Sequence, residues 1–435
     1  MWPIRQRHRA LRQKRTRSRK EIPLFEHGII IIGGGHGGSQ LAASLRSEGY
    51  DGPLTLVTAE NDIPYQRPPL SKAFLKETAH DLLPLRPESF YDKNAIRLLL
   101  AAEVESIELA GRTLRLADGA VLSFDGLALA TGARARLPRV DGAHLAGVHV
   151  LRVVAEARAL RDRLHAAENV VVVGGGFIGL EVAATARLLG KRVTVLEATD
   201  RLMGRVVAPQ ISAHFLDLHR GWGSDVRLAT PLGRIIGEHG RVVAVETVGG
   251  ERIPADLALI GIGVEPNVEI AATAGLAIDN GIAVDETMAT AAKHVVAVGD
   301  CVSFPHHQLG RRIRLESVEN AVDQAKVAAK TLLDRPEPFK EVPWFWSDQG
   351  DVKLQMVGLP FGATRSVVRG RIEDNRFSVF HFDGDRLLAI DSVNRAADHM
   401  VGRRLLAAGI SPSPEICADE SVDLKGLATR ITSQA

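Results

Sequence analysis

Apolar runs broken by glycine-rich turns dominate the first two thirds of the chain. Residues 28–49, GIIIIGGGHGGSQLAASLRSEG, pass from an unbroken aliphatic run through glycines into apolar positions at helical spacing, which predicts strand, tight turn and helix. A second hydrophobic strand with an acidic end follows at 52–60, GPLTLVTAE. Prolines punctuate 61–75, NDIPYQRPPLSKAFL, and predict a loop packed over a neighbouring surface, with a helix beginning near Ser71. Residues 96–130 alternate short apolar segments with charged turns, Asp118-Gly119 being the strongest turn signal. Beyond a linker at 135–142, the first pattern returns as ENVVVVGGGFIGLEVAATARLLG, followed by KRVTVLEATDRL.

The two glycine motifs begin at Gly33 and Gly174, an interval of 141 residues. That is too long for a stacked repeat and suits two nucleotide-binding domains. ERIPADLALIGIGVEPN at 251–267 reads as a return strand, and KHVVAVGDC at 293–301 as a buried strand ending in Gly-Asp. The apolar positions Val318, Ala321, Val322, Ala325 and Ala329 predict a helix over 313–333, and from Pro336 the pattern changes to strands joined by Asp-Asn and Asp-Gly turns. The expectation is an α/β protein whose chain leaves its first domain, returns to it and closes with a mainly β domain.

The chain has 435 residues and a formal charge of +2, yet residues 1–20 alone carry nine Arg or Lys and no acid. Everything after Lys20 therefore holds 45 basic against 52 acidic residues, a charge of −7. The basic segment admits contact with nucleic acid or an anionic surface, but without an accompanying recognition motif or aromatic platform a dispensable disordered extension or an upstream start is the favoured reading. No apolar stretch approaches the roughly 18 residues needed to span a bilayer. Cys301 and Cys417 are the only cysteines, far apart and in no CxxC, so redox chemistry calls for a bound cofactor and a reducing, cytoplasmic setting is expected; a bridge between them stays open on sequence.

Each glycine motif sits between a strand and a helix, the context that gives the pattern chemical meaning. Gly33 and Gly174 allow a tight turn, Gly35 and Gly176 remove a side chain where pyrophosphate approaches, and Gly38 and Gly179 permit close helix–strand packing. Glu60 and Glu197 end the following strands, 27 and 23 residues on, placed to accept ribose hydroxyls. A carboxylate at 197 favours NADH over NADPH, with Arg192 and Arg201 the nearby groups that would soften the preference. Gly299-Asp300 after VVAV and Thr131-Gly132 after GLALA are expected to contact the first dinucleotide.

Taken together, GGGHGGSQLAASLR, YQRPPLSKAFL, ALATG, VVVVGGGFIGLEVAA, GVEPN, VVAVGDC, RLESVENAVDQA and VPWFWSDQ resemble the oxygenase-coupled, FAD-dependent ferredoxin reductases over about residues 27–410. The resemblance implies a glutathione-reductase-like fold with two Rossmann-type domains: a basic extension at 1–23, an FAD domain at 24–133 and 255–333, an NADH domain at 134–254 and a C-terminal α+β domain at 334–435. It assigns the first glycine motif to FAD and the second to NADH, which the motifs themselves leave open. It also implies that Lys72 and Glu181 form an ion pair beside the reacting rings and that Arg67 frames the flavin edge. Glu316, Ser317 and Val318 would open a helix aimed at the flavin carbonyls, and Trp344 or Trp346 would pack on the flavin or in a domain interface.

The activity so implied is hydride transfer from NADH to FAD, then single electrons to a [2Fe–2S] ferredoxin supplying a cytochrome P450 or a Rieske oxygenase, by a monomer. Reduction of rubredoxin, monodehydroascorbate or a quinone is the enzymatic alternative, and a flavin-containing interaction protein like apoptosis-inducing factor the non-enzymatic one. Leu315 and Gly350 depart from the family, where aromatic residues are frequent. His306 and His307 read as loop residues without a third metal ligand.

Overall fold

A computed structural model describes residues 27–77 and 81–432, so the basic extension lies outside the described residues. Five parallel strands form the first sheet, in the spatial order Val295–Ala297, Gly126–Leu129, Ile29–Ile32, Leu54–Val57, Ile96–Leu99. The central strand is pure isoleucine and buried along its whole length, because its side chains share one core with helices His36–Ser47 and Val318–Leu332 and with the small antiparallel sheet Val104–Glu108, Thr113–Leu116, Val121–Ser123. Helices His36–Ser47 and Val318–Leu332 pack against each other on it, so a segment near the end of the dinucleotide region completes a layer begun at residue 29.

The second parallel sheet runs Asp225–Arg227, Arg192–Leu196, Asn169–Val173, Leu257–Ile260, Val148–His149. Leu257–Ile260 corrects the expected boundary at residue 254: it pairs with Val170–Val173 and belongs to this sheet, not to the returning segment. Its four residues are all buried, and a run buried on both faces looks the same in either sheet.

From Trp344 the chain forms a five-stranded antiparallel sheet, which three helices follow at Ala396–Ala407, Pro414–Ala418 and Leu424–Thr432. The helix expected over 313–333 begins only at Val318, because Ser317 is extended and its side chain accepts the Asn320 amide, a capping bond that fixes the start. Residues 311–313 instead form a strand. His306 also differs from expectation: it ends the strand Val302–His306 and is buried, which pushes its pKa down to about 4. Cys301 and Cys417 are both free and buried. Among the described residues no helix is long and apolar enough to cross a membrane.

Candidate dinucleotide and redox site

The carboxyl ends of both parallel sheets open onto one cleft of about 1510 Å³, the position where open α/β sheets bind ligands. The two glycine turns are built alike. Gly33 has φ +117° and Gly174 φ +108°, and a Cβ on either would lie 2.1 Å and 2.4 Å from the carbonyl oxygens of Ala130 and Gly261. A Cβ on Gly38 or Gly179 would meet the carbonyl of Gly33 or Gly174 at 1.9 Å or 2.3 Å, so only glycine lets helix and turn approach this closely. Gly35 and Gly176, by contrast, face open cleft, their nearest Cβ neighbours being Arg67 nitrogens at 3.8–3.9 Å and the Gly261 oxygen at 4.0 Å.

Charged side chains crowd the first wall. Arg67 donates to Glu60 Oε1 at 2.8 Å and to the Arg152 carbonyl at 3.0 Å, while Tyr65 donates to the other Glu60 oxygen. Burial pushes the Tyr65 phenol well above its ordinary pKa, which keeps it a donor. Arg152 pairs with Asp300, and His36, at the start of its helix, is held down to about pKa 4 by burial, with Arg67 and Arg152 adding to the effect. Thr131 and Asn267 exchange two hydrogen bonds at 2.7 Å and 2.9 Å across the back of the cleft. Glu316 pairs with Arg314 at 2.6 Å beside the Ser317 cap, and the first turn of Val318–Leu332 faces the cleft. These features fit FAD: a Cβ-free approach and a helix N-terminus for pyrophosphate, acidic acceptors for hydroxyls, and a second helix N-terminus for a carbonyl edge.

The second wall is simpler. Glu197 turns back over its own turn, accepting Gly175 N at 2.7 Å and Thr199 N and Oγ at 2.8 Å. Arg192 pairs with Glu168 at the far end of its strand, and Arg201 is spent on the carbonyls of Gly204 and Val207, so neither guanidinium faces Glu197 as a phosphate clamp. At the position matching His36 stands Phe177, whose ring packs on Phe345 at 4.8 Å. This wall fits NADH in the groups it offers, glycine amides where a phosphate would approach and a carboxylate, Glu197, where ribose hydroxyls would need an acceptor.

Lys72 and Glu181 meet between the two walls. Lys72 Nζ donates to Glu181 Oε2 at 2.7 Å, from the end of the 3₁₀ turn Pro68–Ser71 to the helix Phe177–Leu188. Ser71 donates to the same oxygen and Ser347, from the antiparallel sheet, to Oε1 at 2.7 Å. The Glu181 side chain is 3% exposed and that of Lys72 21%, and both line the cleft, so Lys72 is the more open partner of the pair. Trp344 and Trp346 line the same cleft with ring centres 5.6 Å apart; Trp344 also packs on His399 and beneath Arg403, which gives it an interface as well as a cleft face. A Cβ on Gly350, one of the two departures from the family pattern, would lie 3.0 Å from the Trp222 ring, so that indole occupies the space.

Sequence reasoning missed His36, Arg152, Ser71, Asn267 and Ser347. His36 stood inside the first glycine motif, Ser71 beside Lys72, Asn267 at the end of GVEPN and Ser347 within VPWFWSDQ; Arg152 carried no local signal.

Fold and cleft together define a two-dinucleotide oxidoreductase without a cysteine pair. Residues 27–325 match the pyridine nucleotide-disulphide oxidoreductase family and residues 344–428 the reductase C-terminal family. Rhodocoxin reductase of Rhodococcus erythropolis is 46% identical over 398 residues, 91% of this chain and 93% of that protein. The ferredoxin reductase of the CYP199A2 system from Rhodopseudomonas palustris superposes with a TM-score of 0.90 at 46% identity, over 92% of this chain and 99% of the other. The reductase in the covalent putidaredoxin reductase–putidaredoxin complex gives 0.89 at 39% identity, over 93% and 99%. The chain belongs to the pyridine nucleotide-disulphide oxidoreductases and, within them, to the ferredoxin reductases coupled to oxygenases.

Proposed function

We propose that this protein is an NADH-dependent ferredoxin reductase whose first glycine wall holds FAD and whose second holds NADH. FAD, when bound, accepts hydride from NADH and supplies single electrons to a [2Fe–2S] ferredoxin serving a cytochrome P450 or Rieske oxygenase. The observation that carries the reading is the Lys72–Glu181 pair at the seam of the two walls, where two rings must meet. Glu181 orients Lys72, and the Lys72 ammonium favours negative charge on its cleft side. Arg67, Arg152 and the Val318 helix start bring further positive potential to the first wall, while Asp300 and Glu60 accept from hydroxyls.

Phe177, Phe345 and Trp346 supply apolar surface that excludes water where the walls meet. A cytoplasmic setting is part of the proposal and accords with two free cysteines. Anaerobic mixing tests it: rapid flavin bleaching by NADH, slower bleaching by NADPH, and recovery on adding a [2Fe–2S] ferredoxin are expected. Recovery with rubredoxin or a quinone but with no ferredoxin would replace the acceptor.

A further inference from the structure

A buried row of polar side chains leads from Glu181 away from the cleft. Ser347 donates to Glu181 Oε1 at 2.7 Å, Gln349 Nε2 to Ser347 Oγ at 3.3 Å, and His219 Nε2 to Gln349 Oε1 at 2.9 Å. Ser347, Gln349 and His219 are each wholly inaccessible to solvent. Ser347 and Gln349 alternate along the strand Trp344–Gln349 and so point to one side, toward the helix Pro209–Gly221 that carries His219. The other Gln349 amide hydrogen reaches Met203 Sδ at 3.7 Å, in the loop that covers the second wall.

Direction is built into this row. A serine hydroxyl has one proton, and because Ser347 gives it to Glu181 only lone pairs are left to face Gln349, which must then donate. Gln349 presents its NH₂ end to Ser347 only while its carbonyl has a donor on the opposite side, and His219 is that donor. Burial lowers the His219 pKa, which leaves one ring proton; Nδ1 is buried without a partner, so a proton there would be a stranded donor and Nε2 is the favoured site. Every bond in the row therefore points at Glu181.

We propose that His219 is a positioning residue for hydride transfer, its Nε2–H setting the direction of the Gln349 and Ser347 hydrogen bonds that fix the Glu181 carboxylate beneath Lys72. The inference rests on the Lys72–Glu181 reading above and adds to it the origin of the carboxylate's orientation. Without the histidine donor, Gln349 is free to turn its carbonyl toward Ser347. The hydroxyl then follows, and Glu181 Oε1 loses its Ser347 donor while Lys72 and Ser71 still hold Oε2.

The test uses the FAD-loaded full chain, with anaerobic reduction by NADH over a range of concentrations and a dye-coupled titration of the flavin midpoint potential. His219→Leu is expected to slow the limiting reduction rate by about tenfold, the size of one lost hydrogen bond to a buried charged group, with NADH affinity little changed. Its midpoint potential should move in the same direction as in Glu181→Gln. His219→Gln places an amide nitrogen near the Nε2 position and should restore the rate to within about twofold, although it too loses the ring packed 5.0 Å from Trp222. In a Glu181→Gln background, His219→Leu should add nothing further.

Should His219→Leu fail to load FAD, Ser347→Ala removes one oxygen from the same row and is expected to slow reduction similarly. Three results overturn the proposal: His219→Gln as slow as His219→Leu, an unchanged limiting rate in His219→Leu and Ser347→Ala, or effects that multiply with Glu181→Gln. An unaltered Glu181→Gln enzyme would instead overturn the Lys72–Glu181 reading on which the proposal stands.

Discussion

The two strand–glycine–helix units of this chain share a backbone and differ in everything placed upon it. Both turns need glycine at the same two places, Gly33 and Gly38 in the first and Gly174 and Gly179 in the second, where a backbone carbonyl occupies the volume that a Cβ would require. The first unit then gathers Arg67, His36, Arg152, Glu60 and Asp300 within one wall, several of them paired across distant segments. The second carries Phe177 in place of His36 and ties its acid, Glu197, to its own turn. A wall with many preformed charges suits a ligand that stays, and a wall with few suits one that leaves after each turnover. On the proposed reading the glycines select a dinucleotide, and the surrounding side chains set how firmly each is kept.

The comparison breaks most severely at the glycines. Gly38→Ala forces a Cβ to within 1.9 Å of the Gly33 oxygen and is expected to abolish flavin retention, read as flavin absorbance per protein after gel filtration. Gly179→Ala, at 2.3 Å from Gly174, should leave the flavin bound and raise the KM for NADH. Equal flavin loss in both variants would erase the distinction between the walls.

At the seam, Lys72→Met should slow flavin reduction at saturating NADH by about a hundredfold, the scale of one preorganised charge at a developing anion. Stopped-flow absorbance measures it, and a change confined to KM would assign Lys72 to binding alone.

His36 offers a gentler comparison, because His36→Phe copies Phe177. The folded pKa of about 4 lies below the ordinary 6.5, so the unfolded chain takes up the proton first as pH falls. Apoprotein stability is therefore lost between about pH 6.5 and 4, by about 2 kcal/mol at pH 5, and His36→Phe should remove that loss. Urea melts of apoprotein at pH 7 and 5 measure the difference; identical pH slopes in the two proteins would contradict it. Smallest is Glu197→Gln, expected to reduce the preference for NADH over NADPH by about tenfold, as one lost like-charge repulsion would. The ratio of the two kcat/KM values reports it.

Much of this arrangement was legible because it is local. Gly33, Gly35, Gly38, Glu60 and their counterparts fall within single strand–turn–helix–strand units, and the glycine spacing between periodic segments located them. Lys72 and Glu181 stood 109 residues apart, and only the resemblance carried by their motifs brought them together before the fold did. Arg152 lay beyond either kind of reading, since its partner Asp300 is 148 residues away and nothing in its neighbours marks a cleft. Leu257–Ile260 was misplaced for a related reason: four buried aliphatic residues announce a strand but not which sheet receives it. The Ser347–Gln349–His219 row is the extreme case, because its direction depends on proton positions set jointly by a strand and a helix that are distant in sequence.

Electron stoichiometry tests the central claim most directly. With limiting NADH, the protein and an excess of oxidised [2Fe–2S] ferredoxin under anaerobic conditions, the claim expects two ferredoxins reduced for each NADH consumed, with no ferredoxin reduction in Lys72→Met on the same timescale. NADH oxidised with no ferredoxin reduced would contradict it.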